Sequence, residues 1–176
     1  DYPISDVQGS TLGIIGRGCI GNEVARLAQA VGMRVLFAEH QHATTIREGY
    51  TAFDEVLKQA DVISLHCPLT PQTEQLINAK TLALMKPNAC LINTGRGGLI
   101  NEADLLQALQ SGKLAGTALD VLVKEPPATD DVLWLAAKTQ PNLLITPHVA
   151  WASDSALTTL VNKVAQNIEE FVLTGK

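Results

Sequence analysis

The stretch TLGIIGRGCIG at residues 11–21 decides the predicted fold. Residues 12–15 form a short apolar run with two β-branched side chains, which is typical of a buried strand. The run leads directly into the pattern G-x-G-x-x-G at Gly16, Gly18 and Gly21. Because a helical pattern follows, the stretch predicts a strand, a glycine turn and a helix, the arrangement that binds the pyrophosphate of a dinucleotide.

Each glycine has its own task in such a turn. Gly16 would make the tight turn, Gly18 would let the backbone approach phosphate oxygens, and Gly21 would let helix and strand pack closely. The helix N-terminus would add unpaired N–H groups and a dipole that favours an anion. The apolar residues of this helix fall on one face, which comprises Ile20, Val24, Leu27, Ala28 and Val31.

An acidic residue follows the next predicted strand, residues 33–38. This residue, Glu39, lies 18 residues after Gly21. A carboxylate there accepts hydrogen bonds from the ribose hydroxyls of an adenosine and repels a 2′-phosphate, which favours NAD over NADP. A solvated glutamate at a strand end is the alternative, and protonated His40 or His42 would soften the rejection of a phosphate.

Composition limits the class of protein. A length of 176 residues fits one domain with a real core, and a net charge of −5 does not favour nucleic acid or an anionic membrane as a partner. There is no apolar run of the ~18 residues that a membrane span needs. The three cysteines are widely spaced, which predicts free, buried thiols in a reducing cytoplasm and neither a disulfide framework nor a metal site.

Strand and helix patterns alternate along the rest of the chain. Further strands are predicted at residues 33–38, 61–66, 89–93, 114–121 and 143–146. Further helices are predicted at residues 53–59, 78–85, between Asn101 and Gly112, and, with an amphipathic pattern, at 153–173. The segment that begins at Lys124 is predicted to be a loop. The alternation predicts an α/β fold with a doubly wound parallel sheet, a Rossmann-type domain.

Four polar residues lie at or just after the C-terminal ends of predicted strands: Arg96, Asp120, Glu125 and His148. Ligands bind at that edge of a doubly wound sheet. Hydride transfer between a nicotinamide and a hydroxy acid needs a cation for the substrate carboxylate, an acid/base for the hydroxyl proton, and a group that supports the protonated acid. Arg96 suits the first task, His148 the second, and Glu125 the third, by stabilising an imidazolium.

Taken singly, these residues have ordinary structural explanations. An isolated arginine is usually a surface or salt-bridge residue, and a histidine after a proline is usually a loop residue. An acid before two prolines, as at Glu125, is usually solvated. Their joint position beside a dinucleotide pattern favours the functional interpretation.

Five motifs then resemble one family, the D-isomer-specific 2-hydroxyacid dehydrogenases. They are GRGCIG at 16–21, HCPLTPQT at 66–73, LINTGRGGLIN at 91–101, ALDVLVKEPP at 118–127 and TPHVAW at 146–151. The motifs follow the family order and cover nearly the whole chain. They look most similar to the glycerate dehydrogenase and hydroxypyruvate or glyoxylate reductase members.

The resemblance implies a role for each matching residue. Arg96 would bind the substrate carboxylate, His148 would be the general acid/base, and Glu125 would be its partner. Asp120 would hold the nicotinamide carboxamide. The implied cofactor-binding set comprises Gly16, Arg17, Gly18, Ile20, Gly21, Glu39, His66, Cys67, Pro68, Thr73, Thr94, Gly95, Asp120 and Ala150, with no metal ligand among them.

Within that set, the resemblance implies several specific contacts. Arg17 and Ile20 would offer N–H groups to the pyrophosphate, and Thr94 and Cys67 would line the nicotinamide side. Two positions depart mildly from the family pattern: Gly95, where alanine or serine is common, and Glu39, where aspartate is common.

The family also has a substrate-binding domain, which this chain is expected to lack. The chain would then be the nucleotide-binding domain, residues 1–176, with a C-terminal helix at 151–176 that in the family returns towards the other domain. Such a piece is expected to bind NAD(H), to turn over hydroxy acids poorly, and to form a homodimer through the nucleotide-binding domain. The alternative function is a nucleotide-sensing, co-repressor-like interaction protein of the same family.

Overall fold

The structure is a computed structural model that describes residues 6–175. The chain divides into two compact units, which meet in sequence between Thr146 and Pro147. The first unit contains the sheet and the second contains the last helix. Each is described by itself.

Six parallel strands form one sheet within the described part of the first unit. In chain order they are β1 (Thr11–Ile15), β2 (Arg34–Phe37), β3 (Val62–Leu65), β4 (Cys90–Asn93), β5 (Gly116–Leu119) and β6 (Leu143–Ile145). Their order across the sheet is β2-β1-β3-β4-β5-β6. From β1 the chain first adds β2 on one side, then crosses over to add β3 on the other side of β1, and the later strands follow outward from β3. The direction in which strands are added changes at β1, and the predicted doubly wound parallel sheet is confirmed.

Five helices of the first unit connect these strands. They are α1 (Cys19–Ala30), α2 (Phe53–Gln59), α3 (Ala79–Leu84), α4 (Glu102–Gln110) and α5 (Val132–Ala136). A 3₁₀ turn at Gly97–Leu99 precedes α4. The predicted caps are present, because the Asn101 side chain accepts a hydrogen bond from Asp104 N and Gly112 follows α4 with φ +71°.

Helix α5 was not predicted, because the segment after Lys124 was interpreted as loop. The Asp131 side chain starts α5 by accepting a hydrogen bond from Trp134 N, and Leu133 is its buried residue. A helix of five residues has too few turns to produce a periodic apolar pattern.

The core lies on both faces of the sheet. Every residue of β1 is buried, and Ile14, Ile63 and Leu91 have no exposed surface. Helix α1 packs on β1 with the small residues Gly21, Ala25 and Ala28.

The larger apolar residues of α1 and its C-cap lie in two environments: Val24 packs against the core, whereas three others are exposed. Ile20, Leu27 and Val31 are 68%, 52% and 58% exposed. The apolar face predicted from the sequence is therefore not the same as the face that the helix buries. The buried face carries small side chains, because the helix lies close to the sheet.

The second unit is a single helix with its leading loop. Helix α6 (Asp154–Thr174) begins after Ser153, whose hydroxyl accepts a hydrogen bond from Ala156 N, and ends at Gly175 with φ +67°. The predicted apolar residues are on this helix and are exposed: Leu157, Leu160, Val161, Val164, Ile168, Phe171 and Val172.

The cysteines are free thiols. Cys67 and Cys90 are half-buried, but Cys19 is exposed at the start of α1. The expectation of a buried thiol is therefore wrong for Cys19, because Cys19 lies on the exposed side of the first turn of α1, whereas Gly21 lies on its buried side.

Two neighbouring glycines should respond differently to an added methyl group. A Cβ at Gly97 would lie 2.0 Å from the carbonyl carbon of Leu122, whereas at Gly95 its nearest neighbours would be 3.5 Å away. We expect Gly97→Ala to lower the free energy of unfolding by about 1–3 kcal/mol, because backbone must move, and Gly95→Ala to change it little. Urea unfolding followed by circular dichroism measures both; equal stability of the two variants would contradict this account.

Candidate functional site

The register of the sheet brings five strand ends to one level. Partners across neighbouring strands include Ile15 with Leu65, Leu65 with Asn93, Asn93 with Leu119, and Leu119 with Ile145. Because all strands are parallel, the loops that follow them open at the same edge of the sheet. The polar candidates Arg96, Asp120 and Glu125 lie in those loops.

The glycine turn after β1 has the shape that its pattern predicts. Gly16 has φ +108°, and a Cβ there would lie 2.4 Å from the backbone nitrogen of Cys67. A Cβ at Gly21 would lie 2.1 Å from the carbonyl oxygen of Gly16. A Cβ at Gly18 would meet nothing within 4 Å. Gly16 and Gly21 are thus required by packing, whereas Gly18 leaves its backbone bare toward open space, as a phosphate-binding turn needs.

A cleft of about 340 Å³ extends from this turn. It brings together eight of the predicted cofactor-binding residues: Gly16, Arg17, Gly18, Glu39, His66, Cys67, Pro68 and Thr73. Arg47 and Tyr50 also line it. The other predicted cofactor-binding residues do not line this cleft. Thr94, Gly95 and Asp120 follow the ends of β4 and β5, and Ala150 belongs to the second unit. On α1, Ile20 is exposed and Gly21 is buried.

Glu39 is buried at one end of the cleft and is paired with Arg47. Arg47 Nε and Nη2 donate to the two carboxylate oxygens at 2.7 and 2.6 Å, and the backbone N–H groups of His40 and Arg47 donate to the same oxygens at 2.9 and 3.1 Å. The guanidinium and these N–H groups lower the pKa of Glu39 to about 2. Glu39 is therefore an anion at neutral pH.

Arg47 was not predicted from the sequence. It lies in a loop, eight residues after its partner, and its guanidinium carbon lies 4.1 Å from the centre of the Tyr50 ring. The loop returns to β2, because Ala38 and Thr51 form a parallel bridge and Glu39 N donates to Thr51 O at 2.8 Å. The bridge between Ala38 and Thr51 thus brings the loop, with Arg47, back beside Glu39.

The loop after β3 is held by its own side chains. His66 Nε2 lies 2.9 Å from Ser64 Oγ, and burial lowers the pKa of His66, which favours a neutral ring. Burial raises the pKa of the Cys67 thiol. Thr73 Oγ1 donates to Pro68 O at 2.7 Å, so the two ends of this predicted motif close on each other.

A buried amide shapes the loop that carries Arg96. Asn93, the last residue of β4, has no exposed surface; its Oδ1 accepts from Gly95 N at 3.0 Å and its Nδ2 donates to Arg96 O at 2.9 Å. The Arg96 side chain is exposed, with Nη1 donating to Gly95 O at 2.7 Å. No motif of the sequence singles out Asn93, whose signal is that of a polar residue at the end of an apolar strand.

The loop after β5 begins with a buried acid. Asp120 accepts a hydrogen bond from Thr146 Oγ1, and its backbone N–H donates to Asn93 O at 2.9 Å. Glu125 is exposed, and its Oε1 accepts from Leu122 N at 2.8 Å. That bond turns the loop back towards the end of β5.

His148 belongs to the second unit. It has a left-handed backbone with φ 54°, and its carbonyl oxygen accepts a hydrogen bond from Trp151 Nε1 at 2.8 Å. This bond folds the segment that leads into α6.

Residues 6–175 contain no group of three or more histidine, cysteine or acidic side chains that could hold a metal ion. In the same residues, no helix has the length and apolarity to cross a membrane.

Comparisons with known proteins agree with one another. A family model described as the NAD-binding domain of D-isomer-specific 2-hydroxyacid dehydrogenases matches residues 1–150. A provisionally named 2-hydroxyacid dehydrogenase of Haemophilus influenzae is 70% identical over 172 residues, which are 98% of this chain and 55% of that protein. Glycerate dehydrogenase of Methylorubrum extorquens is 48% identical, over 98% of this chain and 53% of that protein.

A solved structure of D-2-hydroxyisocaproate dehydrogenase is also similar to this chain, with a TM-score of 0.90 and 30% identity. The match covers 99% of this chain and 56% of the chain in that structure. The chain therefore spans about half the length of the curated relatives it matches.

A methyl group at Gly18 should separate cofactor binding from folding. We expect Gly18→Ala to retain the melting temperature but to weaken NADH binding about 10-fold or more, because the methyl group occupies the space that phosphate oxygens would enter. The matched variant Gly21→Ala should lose stability, because its Cβ meets the backbone of Gly16. Calorimetric titration and thermal melts measure both effects, and unchanged NADH affinity in Gly18→Ala would exclude a phosphate at this turn.

Proposed function

The chain belongs to the D-isomer-specific 2-hydroxyacid dehydrogenase family, whose NAD-binding domain it contains, and from this premise we propose its role in catalysis. We propose that it serves an oxidoreductase that transfers a hydride between NAD(H) and a D-2-hydroxy acid or its 2-oxo acid. The substrates we propose are glycerate with hydroxypyruvate, and glyoxylate. The motifs resemble those of the family members that act on these acids, and a glycerate dehydrogenase is among the relatives.

The observation that carries this proposal is the arginine loop after β4. Asn93 fixes the backbone of Gly95 and Arg96 at the edge of the sheet where the glycine turn also opens. The Arg96 guanidinium is exposed there and can bind a carboxylate through two parallel hydrogen bonds. A cation of this kind beside a dinucleotide cleft suits a substrate that carries both a carboxylate and a reducible carbonyl.

The proposed roles of the other residues follow from their chemistry. NAD(H), when bound, supplies or accepts the hydride. His148 donates a proton to the carbonyl oxygen during reduction and removes it during oxidation. Glu125 supports the protonated form of His148, and Asp120 holds the carboxamide of the nicotinamide.

The remaining length of the relatives suggests how the site is completed. We propose that a further, substrate-binding domain closes over the cofactor, excludes water and orients the substrate. Residues 1–176 alone would then bind NAD(H) and turn over hydroxy acids slowly.

His148→Gln in the full-length protein tests the catalytic proposal. We expect kcat for glyoxylate or hydroxypyruvate to fall about 100- to 10,000-fold, because proton transfer is lost, while the Kd for NADH stays unchanged. Arg96→Gln should instead raise KM and lower kcat together, and Arg26→Gln, at an exposed ion pair with Glu23, should change neither. Retention of full activity in His148→Gln would refute the role, and turnover near ~10 per second by residues 1–176 alone would refute the need for a second domain.

We further propose that the protein is a homodimer joined through this domain. The exposed apolar residues Ile20 and Leu27 of α1 and Val31 at its C-cap form a stripe along the helix and suit a surface that a second copy covers. We expect a dimer by light scattering at high micromolar concentration and a shift to monomer in Leu27→Glu. A wild-type monomer under those conditions would contradict the proposal.

The cytoplasm is proposed as the location, because three free thiols suit a reducing compartment. A co-repressor-like interaction protein is not favoured, since the similar proteins carry dehydrogenase names.

A further inference from the structure

The carboxylate of Glu39 is fully engaged. Each of its oxygens accepts one hydrogen bond from a backbone N–H and one from the Arg47 guanidinium, at 2.6–3.1 Å. A carboxylate has about four acceptor positions, so these bonds use all of them. A ribose 2′-hydroxyl cannot donate to Glu39 unless Arg47 withdraws. The usual reason that an acid at this position selects NAD is therefore weakened.

The pairing also removes the repulsion that excludes a phosphate. The Glu39 side chain is only 2% exposed, whereas that of Arg47 is 54% exposed, so the arginine is what a ligand meets. The cation covers the anion on the side of the cleft. Arg47 Nη1 takes no part in the bonds to Glu39 and remains available to an incoming anion.

A second arginine stands beside the first. The guanidinium carbon of Arg17, in the glycine turn, lies 4.4 Å from the centre of the Phe37 ring and 5.4 Å from that of Tyr50, and Arg47 lies 4.1 Å from Tyr50. The hydrogen bonds of Arg17 are long, 3.4 Å to Asn22 Oδ1 and 3.5 Å to Gly49 O, and neither acceptor is a carboxylate.

This corner of the cleft therefore holds two arginines and one acid. Its net charge is positive, and its two guanidinium groups both contact the Tyr50 ring. Guanidinium groups bind phosphate through forked hydrogen bonds, and arginine near this end of a dinucleotide site is what accommodates a ribose 2′-phosphate.

We propose that Arg47 is a specificity-determining residue that lets this domain bind NADP(H) as well as NAD(H), by masking Glu39 and holding the 2′-phosphate together with Arg17. The inference rests on the proposed function in that it takes the same cleft to be the dinucleotide site. The two cofactors then use Arg47 in opposite ways. NADP(H) gains a cation from it, whereas NAD(H) must displace it from Glu39 before the ribose can bind.

Calorimetric titration of residues 1–176 tests the inference without any assay of turnover. The probes are NADH, NADPH, 5′-AMP and 2′,5′-ADP, the last pair differing only in the 2′-phosphate. We expect the wild-type Kd for NADPH to lie within about 10-fold of that for NADH. The advantage of 2′,5′-ADP over 5′-AMP should shrink as salt is raised.

Arg47→Gln should move the two cofactors apart. We expect NADPH and 2′,5′-ADP to bind about 10-fold more weakly or worse, because a charge-assisted pair is lost, while NADH binds as well as before or more tightly. Arg17→Gln is a second variant that should weaken NADPH more than NADH. Arg26→Gln is the matched control, since Arg26 pairs with Glu23 on the exposed side of α1, and it should change neither affinity.

Three results would count against these assignments, in distinguishable ways. NADPH binding more than about 100-fold weaker than NADH binding in the wild type would overturn the inference and leave the proposed function intact. An equal loss of both cofactors in Arg47→Gln would also overturn it, because Arg47 would then only support the loop. Failure to bind any of the four nucleotides would overturn the proposed function itself.

Discussion

The close contact between the backbones of Gly16 and Gly21 is the constraint on which the other features depend. No side chain fits at Gly21, because a Cβ would lie 2.1 Å from the Gly16 carbonyl oxygen. Helix α1 can therefore start directly over the end of β1, with its first turn at the edge of the sheet. The same closeness leads α1 to bury Ala25 and Ala28 against the sheet in preference to its larger apolar residues.

The level register of the strands turns this local geometry into a site. The loops after β1, β3, β4 and β5 begin at matched positions, so residues far apart in sequence reach one edge without any long connection. Buried polar groups then stiffen these loops. Asn93 links the arginine loop to the end of β5, since its carbonyl oxygen also accepts from Asp120 N at 2.9 Å. Such fully bonded buried groups hold a single loop conformation.

Much of the fold follows from the sequence because strand patterns, glycine turns and caps are local signals. The strands, the doubly wound order and four helices of the sheet-containing unit could be predicted in this way. Helix α5 could not, since it is one short turn, nor could the exposure of Cys19. Two interactions in the site could not be predicted either: Arg47 with Glu39, and Asn93 with the loop of Arg96. They depend on the three-dimensional path of the loops, which a periodic sequence pattern does not indicate.

The bridge between Ala38 and Thr51 closes the loop that carries Arg47 at its base. Residues 40–50 leave and rejoin the sheet at one point, and they meet the glycine turn through Arg17, which donates to Gly49 O and contacts the Tyr50 ring. If Arg47 and Arg17 select the cofactor as proposed, the residues that make this selection lie in segments other than the loop that carries Arg96. The cofactor preference can then change through a substitution at Arg47 while the loop that carries Arg96 stays as it is.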